Sequence, residues 1–338
     1  GGARPAAGPE AARRRAERRA RAIAAGATEL EQRLADLLRG GLAGADRAGY
    51  APWDEMAARM VDAQAPGLAS RIRELGSVPA SGADWPERLL AECALLHLLN
   101  RAWLGLDGLP EPLAATVRAR VGLTVDTAGL LADAAARQRD TWLVLAQRDA
   151  PEGKLTVRRI WLYGRESGRH ALVLAFGAAG RAPQPSLPVG AAFEADVAFH
   201  PGARPLRAAL GERHGVPGPG FVPRPAAAAA SGGPVAGALA GYGAALCEDP
   251  WLNGWPTVLT GVVPVPLGDG CWQLVEAAGD AALPVAPGTE PSGLWRLAAL
   301  SGGEPVTVFG ECGHRGFAPY TAWRPGAEEE TSPAAVAL

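Results

Sequence analysis

The chain has 338 residues, 48% of them apolar, and a formal net charge of −2. That is length for about two domains with real cores, and the near-neutral balance excludes a global pull toward nucleic acid or acidic lipid. No apolar run approaches the ~20 residues of a membrane helix, and the opening "GGARPAAGPEAARRR" lacks the apolar core of a secretion signal, so a cytoplasmic chain without a membrane partner is expected.

Residues 1–10 are rich in Gly, Pro and Ala and read as disordered. A helix is predicted from Ala11 to about Leu42, with Leu30, Leu34, Leu37 and Leu38 at helical spacing. Its first half carries Arg13, Arg14, Arg15, Arg18, Arg19 and Arg21, distributed all round the axis. "PWDEMAARMVDAQ" places Trp53, Met56 and Met60 on one side, and "LASRIRELG" continues after the Pro66-Gly67 break. Asp84 and Glu87 have capping-box spacing. The helix they open, "PERLLAECALLHLLNRAWLGL", is apolar over a wide arc and should be central to a core. Further helices are predicted at 111–121 and 126–148, which makes 11–150 an all-helical domain.

The pattern then changes to strands. "KLTVRRIWLYG", "RHALVLAFG" and "FEADVAFHP" fill a predicted hairpin domain at 151–213, with "GRESG" as turn chemistry. Residues 214–234 hold too much Pro and Gly for a packed element and read as a linker. One helix and a small bent sheet or partial barrel are predicted over 235–324. The tail 325–338, with Glu328, Glu329 and Glu330, reads as disordered. The fold class expected is α+β: an all-helical N-terminal domain followed by two mostly antiparallel strand-rich regions. Trp161 with Ser167-Gly168 and Trp295 with Ser301-Gly302 also suggest a faint internal repeat.

Candidate chemistry is sparse. Cys312-Gly313-His314 has the spacing of half a zinc site, but a structural zinc wants four ligands, and no second pair lies near in sequence. The bland reading is a strand–turn–strand with His314 at an exposed tip. Of the four Cys, Cys93 and Cys247 sit in apolar surroundings and read as buried free thiols. His97, among leucines, reads as a buried imidazole. There is no G-x-S-x-G, G-x-x-x-x-G-K or H-E-x-x-H. No catalytic, cofactor or metal residue is therefore assigned, and an enzyme is the least supported reading.

Two non-catalytic surfaces deserve weighing. The Arg13–Arg21 run can neutralise phosphates, but Glu17 interrupts it, and Lys154 is the sole lysine among 33 basic residues, a GC-rich coding bias that inflates arginine generally. A solvated helix face is the competing reading. Ten tryptophans are present; Trp251 and Trp255, in "DPWLNGWP", fall on a predicted loop, where they are candidates for partner contact or for core packing.

Several long stretches together resemble the region that follows the zinc finger in bacterial, especially actinobacterial, SWIM zinc finger proteins. They are "GLAGADRAGYAPWDEMAARMVDAQAPGLASRIREL", "DWPERLLAECALLHLLNRAW", "LPEPLAATVRARVGLTV", "RRIWLYGRESGRHALVLAF" and "FHPGARPLRAALGERHG". The resemblance implies that the family's C-x-C…C-x-H finger, and its zinc, lie before Gly1, and that this chain is a C-terminal piece. It implies a non-catalytic interaction scaffold with a protein partner, a MoxR-type ATPase or a von Willebrand A-type protein. DNA is the alternative partner, met through the Arg-rich helix; an unrecognised enzyme is the third reading.

Overall fold

The computed structural model describes residues 9–152, 155–178, 181–225, 233–327 and 333–338. The expected acidic run Glu328–Glu330 and most of the expected N-terminal coil lie outside them. The chain forms two compact units, one comprising residues 1–125 with 201–203, the other 126–200 with 204–338.

The first unit is helical: α1 (Pro9–Gly40), α2 (Ala45–Ala48), α3 (Ala51–Asp62), α4 (Pro66–Ser77), α5 (Trp85–Leu104) and α6 (Glu111–Val121). On α1, Ile23, Ala27, Leu30 and Leu34 recur every three or four residues and are all buried, the spacing that keeps one stripe on the core. That helix packs on α3 and α5, while α4 packs on α3, α5 and α6. Gly67 lies where α4 meets the end of α6. A Cβ there would fall 2.0 Å from the Arg120 carbonyl oxygen, so only glycine lets the two backbones approach. Asp84 precedes α5, but its side chain makes no capping hydrogen bond; the capping box expected from the spacing does not form.

The second unit begins with α7 (Thr127–Ala132) and a five-stranded closed barrel: β1 (Arg137–Glu152), β2 (Leu155–Gly164), β3 (His170–Ala178), β4 (Ala192–Phe199) and β5 (Arg207–Gly218). The helix predicted over 126–148 is thus wrong beyond Ala132, and the helical domain does not extend to 150. Trp142 and Val144 point into the barrel while Leu143 and Leu145 face outward under a second sheet. A strand buried on both faces loses its alternation and reads as a continuous apolar run. Strand order is β1-β2-β3-β5-β4, closed by β1·β4, with a parallel pairing of β3 and β5. This is the topology of the OB-type Greek-key barrel. The linker expected from Gly/Pro content begins too early, because β5 runs on to Gly218 and pairs with β4 across register shifts.

After α8 (Gly233–Glu248) come β6 (Gly254–Gly268), β7 (Cys271–Glu276), β8 (Ala282–Pro284), α9 (Pro291–Ser301), β9 (Val306–Gly313), β10 (Gly316–Trp323) and β11 (Ala335–Ala337). They form a six-stranded sheet, β11-β10-β9-β6-β7-β8. Residues 335–337 are therefore a paired edge strand, not tail. Val235, Ala238 and Tyr242 of α8 pack with Leu259, Val308 and Phe317 of the sheet. The buried carboxylate of Glu276, at the end of β7, accepts from the Val235 N–H at 2.7 Å and so satisfies a first-turn donor of α8. Barrel and sheet share a core in which Trp161, Tyr163 and Leu172 meet Val258, Phe309 and Trp323. Trp161 stands on a strand and Trp295 on a helix, so the suggested internal repeat has no structural counterpart.

Candidate functional site

The arginine run does not assemble into one face. Arg14 pairs with Glu10 at 2.6 Å and Arg13 with Glu17 at 2.9 Å, both as exposed i,i+4 pairs on α1. Arg19 leaves the surface set altogether. Its guanidinium donates to the carbonyls of Gly122 at 3.1 Å and Gln64 at 3.4 Å, just beyond α6 and α3, where helix C-termini carry partial negative charge. Arg21 donates to the Glu17 carbonyl. Arg15 and Arg18 are exposed. Four of the six expected phosphate contacts are thus committed within the helical unit.

The Cys312/His314 pair also separates. Cys312 is fully buried in the core beneath α8, and burial raises its thiol pKa. His314 sits exposed in the β9–β10 turn with its ring nitrogens 3.1 and 3.2 Å from Tyr242 Oη. That hydroxyl donates to the Leu252 carbonyl at 2.9 Å, and burial pushes its pKa up to about 12. Among the described residues no group of three or more His, Cys, Asp or Glu side chains is placed to hold a metal ion. Cys247, expected in a core, is exposed, whereas Cys93 is buried.

Trp251 lies in the turn between α8 and β6 but is only 2% exposed, which leaves it no face for a partner: of the two expected roles it takes core packing. Trp255 is half-buried on β6, packed against the core beneath α8, with the Arg204 guanidinium 5.7 Å from its ring. Composition did not single out His170. Its Nε2 is enclosed without a hydrogen-bond partner, and its ring stacks on Phe309 at 5.8 Å and meets Tyr163 edge-on at 5.3 Å. Part of the ring reaches the surface, yet burial of the nitrogen lowers its pKa to about 4, so the imidazole is neutral at physiological pH.

The clearest surface feature of the helical unit lies on α5. Leu89, Cys93, Leu96, Leu99, Asn100 and Trp103 are buried. On the opposite side, Leu90, Leu98 and Leu104 are 52%, 44% and 38% exposed, and Ala94 lies between the first two at i+4 spacing. Fully burying such a leucine is worth about 1.5–3 kcal/mol, so the helix forgoes a sizeable stabilisation by leaving this stripe in water. The register beneath it is fixed by polar groups. Asn100 Nδ2 donates to the Ala27 carbonyl at 2.8 Å and to Glu31 Oε2 at 2.9 Å, and Glu31 Oε1 lies 3.1 Å from His97 Nδ1. His97, expected among buried leucines, has its side chain half-exposed. Its position on α5 puts it at the margin of the stripe.

None of the described helices is long and apolar enough to cross a membrane. No curated protein and no solved structure matches this chain. The model of the SWIM-associated four-helix bundle domain matches residues 18–121, from within α1 to the last residue of α6, and so takes in the helix that presents the leucine stripe.

Proposed function

We propose that this chain is a non-catalytic protein-interaction scaffold, an accessory region of a SWIM protein that docks its partner on the exposed face of α5. One observation carries the reading: Leu90 and Leu98 left in water on one stripe of α5, with Leu104 also exposed at the end of that helix, inside the segment that matches the SWIM-associated domain. Leu90, Ala94 and Leu98 stand at i, i+4 and i+8, the kind of spacing that helix-mediated docking uses for its anchors; polar His97 flanks this stripe and Arg101 follows it one turn on, which suits the polar edge of an interface. The partner class is a MoxR-type ATPase or a von Willebrand A-type protein. Zinc belongs to a finger outside this sequence, and Cys312 and His314 serve packing and a turn.

Calorimetric titration of the chain with each purified candidate tests the reading. The triple variant Leu90→Gln, Leu98→Gln, Leu104→Gln should lose at least ~100-fold in affinity while keeping its helical circular dichroism, since buried interface anchors cost roughly 1–3 kcal/mol each. Unchanged affinity rejects the docking face.

A further inference from the structure

The barrel carries an open surface of its own. Strand alternation places Trp161, Tyr163 and Leu172 on the outer face of β1–β2–β3, where the second sheet buries them. The same alternation brings Arg159 of β2 and Leu174 and Phe176 of β3 to that face. Past the register shift at 144–146 it brings Arg148 of β1 as well. At this end the sheet stops short, and Phe176 is 54% exposed.

Two features of this end look unfinished. Arg148 and Arg159 are direct partners in the antiparallel register, and like charges directly opposite are destabilising. Neither guanidinium has a hydrogen bond or ion pair among the described residues. The adjacent pair behaves differently: Arg158 grips both carboxylate oxygens of Asp149 at 2.7 Å. Beside them, Tyr320 lies with its ring centre 4.9 Å below Arg148 and its hydroxyl donating to Glu311. A cavity of about 280 Å³ opens there, lined by Gln147, Arg148, Asp149, Tyr320 and Thr321 among others.

We propose that this open end of the barrel binds single-stranded nucleic acid, with Arg148 and Arg159 on the phosphates and Phe176 as a stacking platform for a base. Two unpaired guanidiniums call for an oxyanion, and guanidinium forks match phosphate geometry. An exposed phenyl ring one strand away calls for a flat π-face, and a single strand offers both in alternation. A duplex hides its base faces, and an acidic peptide would engage the arginines but leave Phe176 without a partner. OB-type barrels take oligonucleotides on the strand 2–3 face; that is an analogy of fold, and the side chains are the argument. The proposal is independent of the α5 docking reading.

The test uses the full chain and fluorescence anisotropy with labelled oligo(dT), oligo(U) and a duplex of equal length, between 50 and 200 mM salt, about the range over which phosphate contacts are salt-sensitive. Single strands should bind more tightly than duplex. Arg148→Gln with Arg159→Gln should flatten the log K against log salt slope by about 1.4, roughly 0.7 per lost contact. Phe176→Ala should weaken binding roughly ten-fold, and Phe176→Trp should retain it. A variant with Arg13, Arg14, Arg15, Arg18 and Arg21 changed to Gln should bind as the parent does. Unaltered melting temperatures establish that the variants are folded. Absence of single-strand binding at low salt, equal affinity for duplex, or indifference to the three barrel substitutions overturns the proposal. So does tighter binding of an Asp/Glu-rich peptide at the same residues.

Discussion

Asn100 of α5 reaches across to α1 and binds Glu31 Oε2 at 2.9 Å and the Ala27 carbonyl at 2.8 Å, from a position with no solvent exposure. A buried polar contact between two helices fixes their register, because any slide leaves the amide unpaired. Replacing Asn100 by Ala removes both bonds and leaves Glu31 with only its His97 contact. Loss of about 2–3 kcal/mol is expected, combining a charge-assisted and a neutral bond. Urea unfolding followed by far-UV circular dichroism measures it; a change below about 0.5 kcal/mol, within the range of neutral surface substitutions, would deny the contact its role.

Asp140 organises the turn between β2 and β3. Its carboxylate accepts from the Glu166 N–H at 3.1 Å, the Ser167 N–H at 3.0 Å and Ser167 Oγ at 2.7 Å. A Cβ on Gly164 would lie 2.4 Å from the same carboxylate. Asp140→Ala should therefore cost on the order of 2–3 kcal/mol, Asp140→Asn less, and Gly164→Ala should be as harmful as Asp140→Ala because the added methyl displaces the acceptor. Chemical denaturation of the three variants ranks them.

His170 predicts a pH dependence with a definite sign. Its folded pKa, near 4, lies below the ordinary histidine value of 6.5. Between those values the unfolded chain binds a proton that the folded chain refuses, so stability falls as pH drops from 6.5 to 4 and is flat above that window. The full effect is on the order of 3 kcal/mol. His170→Phe should remove this part of the slope, since Phe cannot titrate and keeps the stack on Phe309. Unfolding midpoints at pH 4.5 and 7.5 for both proteins decide it; an identical slope in the variant would show that other groups are responsible.

The ion pair of Arg158 and Asp149 offers an asymmetric pair of variants. Arg158 is buried and also donates to the Pro183 carbonyl at 2.8 Å, whereas Asp149 is half-exposed. Asp149→Ala leaves a buried guanidinium without its carboxylate and should cost about 1.5–3 kcal/mol. Arg158→Met keeps the apolar stem, frees a carboxylate that water can reach, and should cost less. Thermal melts of the two variants make the comparison, and the opposite ranking would contradict it.

Much of the helical unit was legible because its helices have one wet face. The spacing of Ile23, Ala27, Leu30 and Leu34 on α1 is a direct projection of burial onto sequence. The limits are equally physical. β1 is buried on both faces, so its run "TWLVLA" shows no alternation and merges with the helical signal of Leu130 and Leu131 upstream. β11 is three residues held only by pairing with β10, a long-range event without a local signature. The candidate surfaces follow the same logic. The exposure of Leu90, Leu98 and Leu104 is invisible in a helix that is apolar nearly all round. Arg148 and Arg159 become neighbours only through the β1–β2 register, and of the arginines that stood out in sequence the fold commits Arg13, Arg14, Arg19 and Arg21 to local pairs and backbone contacts while Arg15 and Arg18 stay exposed.

Hydroxyl-radical footprinting of the complex with a purified MoxR-type ATPase or von Willebrand A-type protein tests the docking surface most directly. Leu90, Leu98 and Leu104 should be oxidised readily in the free chain and protected several-fold in the complex, while exposed Trp295, on α9 of the other unit, stays reactive. Protection confined to other residues, with the three leucines as reactive as before, would contradict the account.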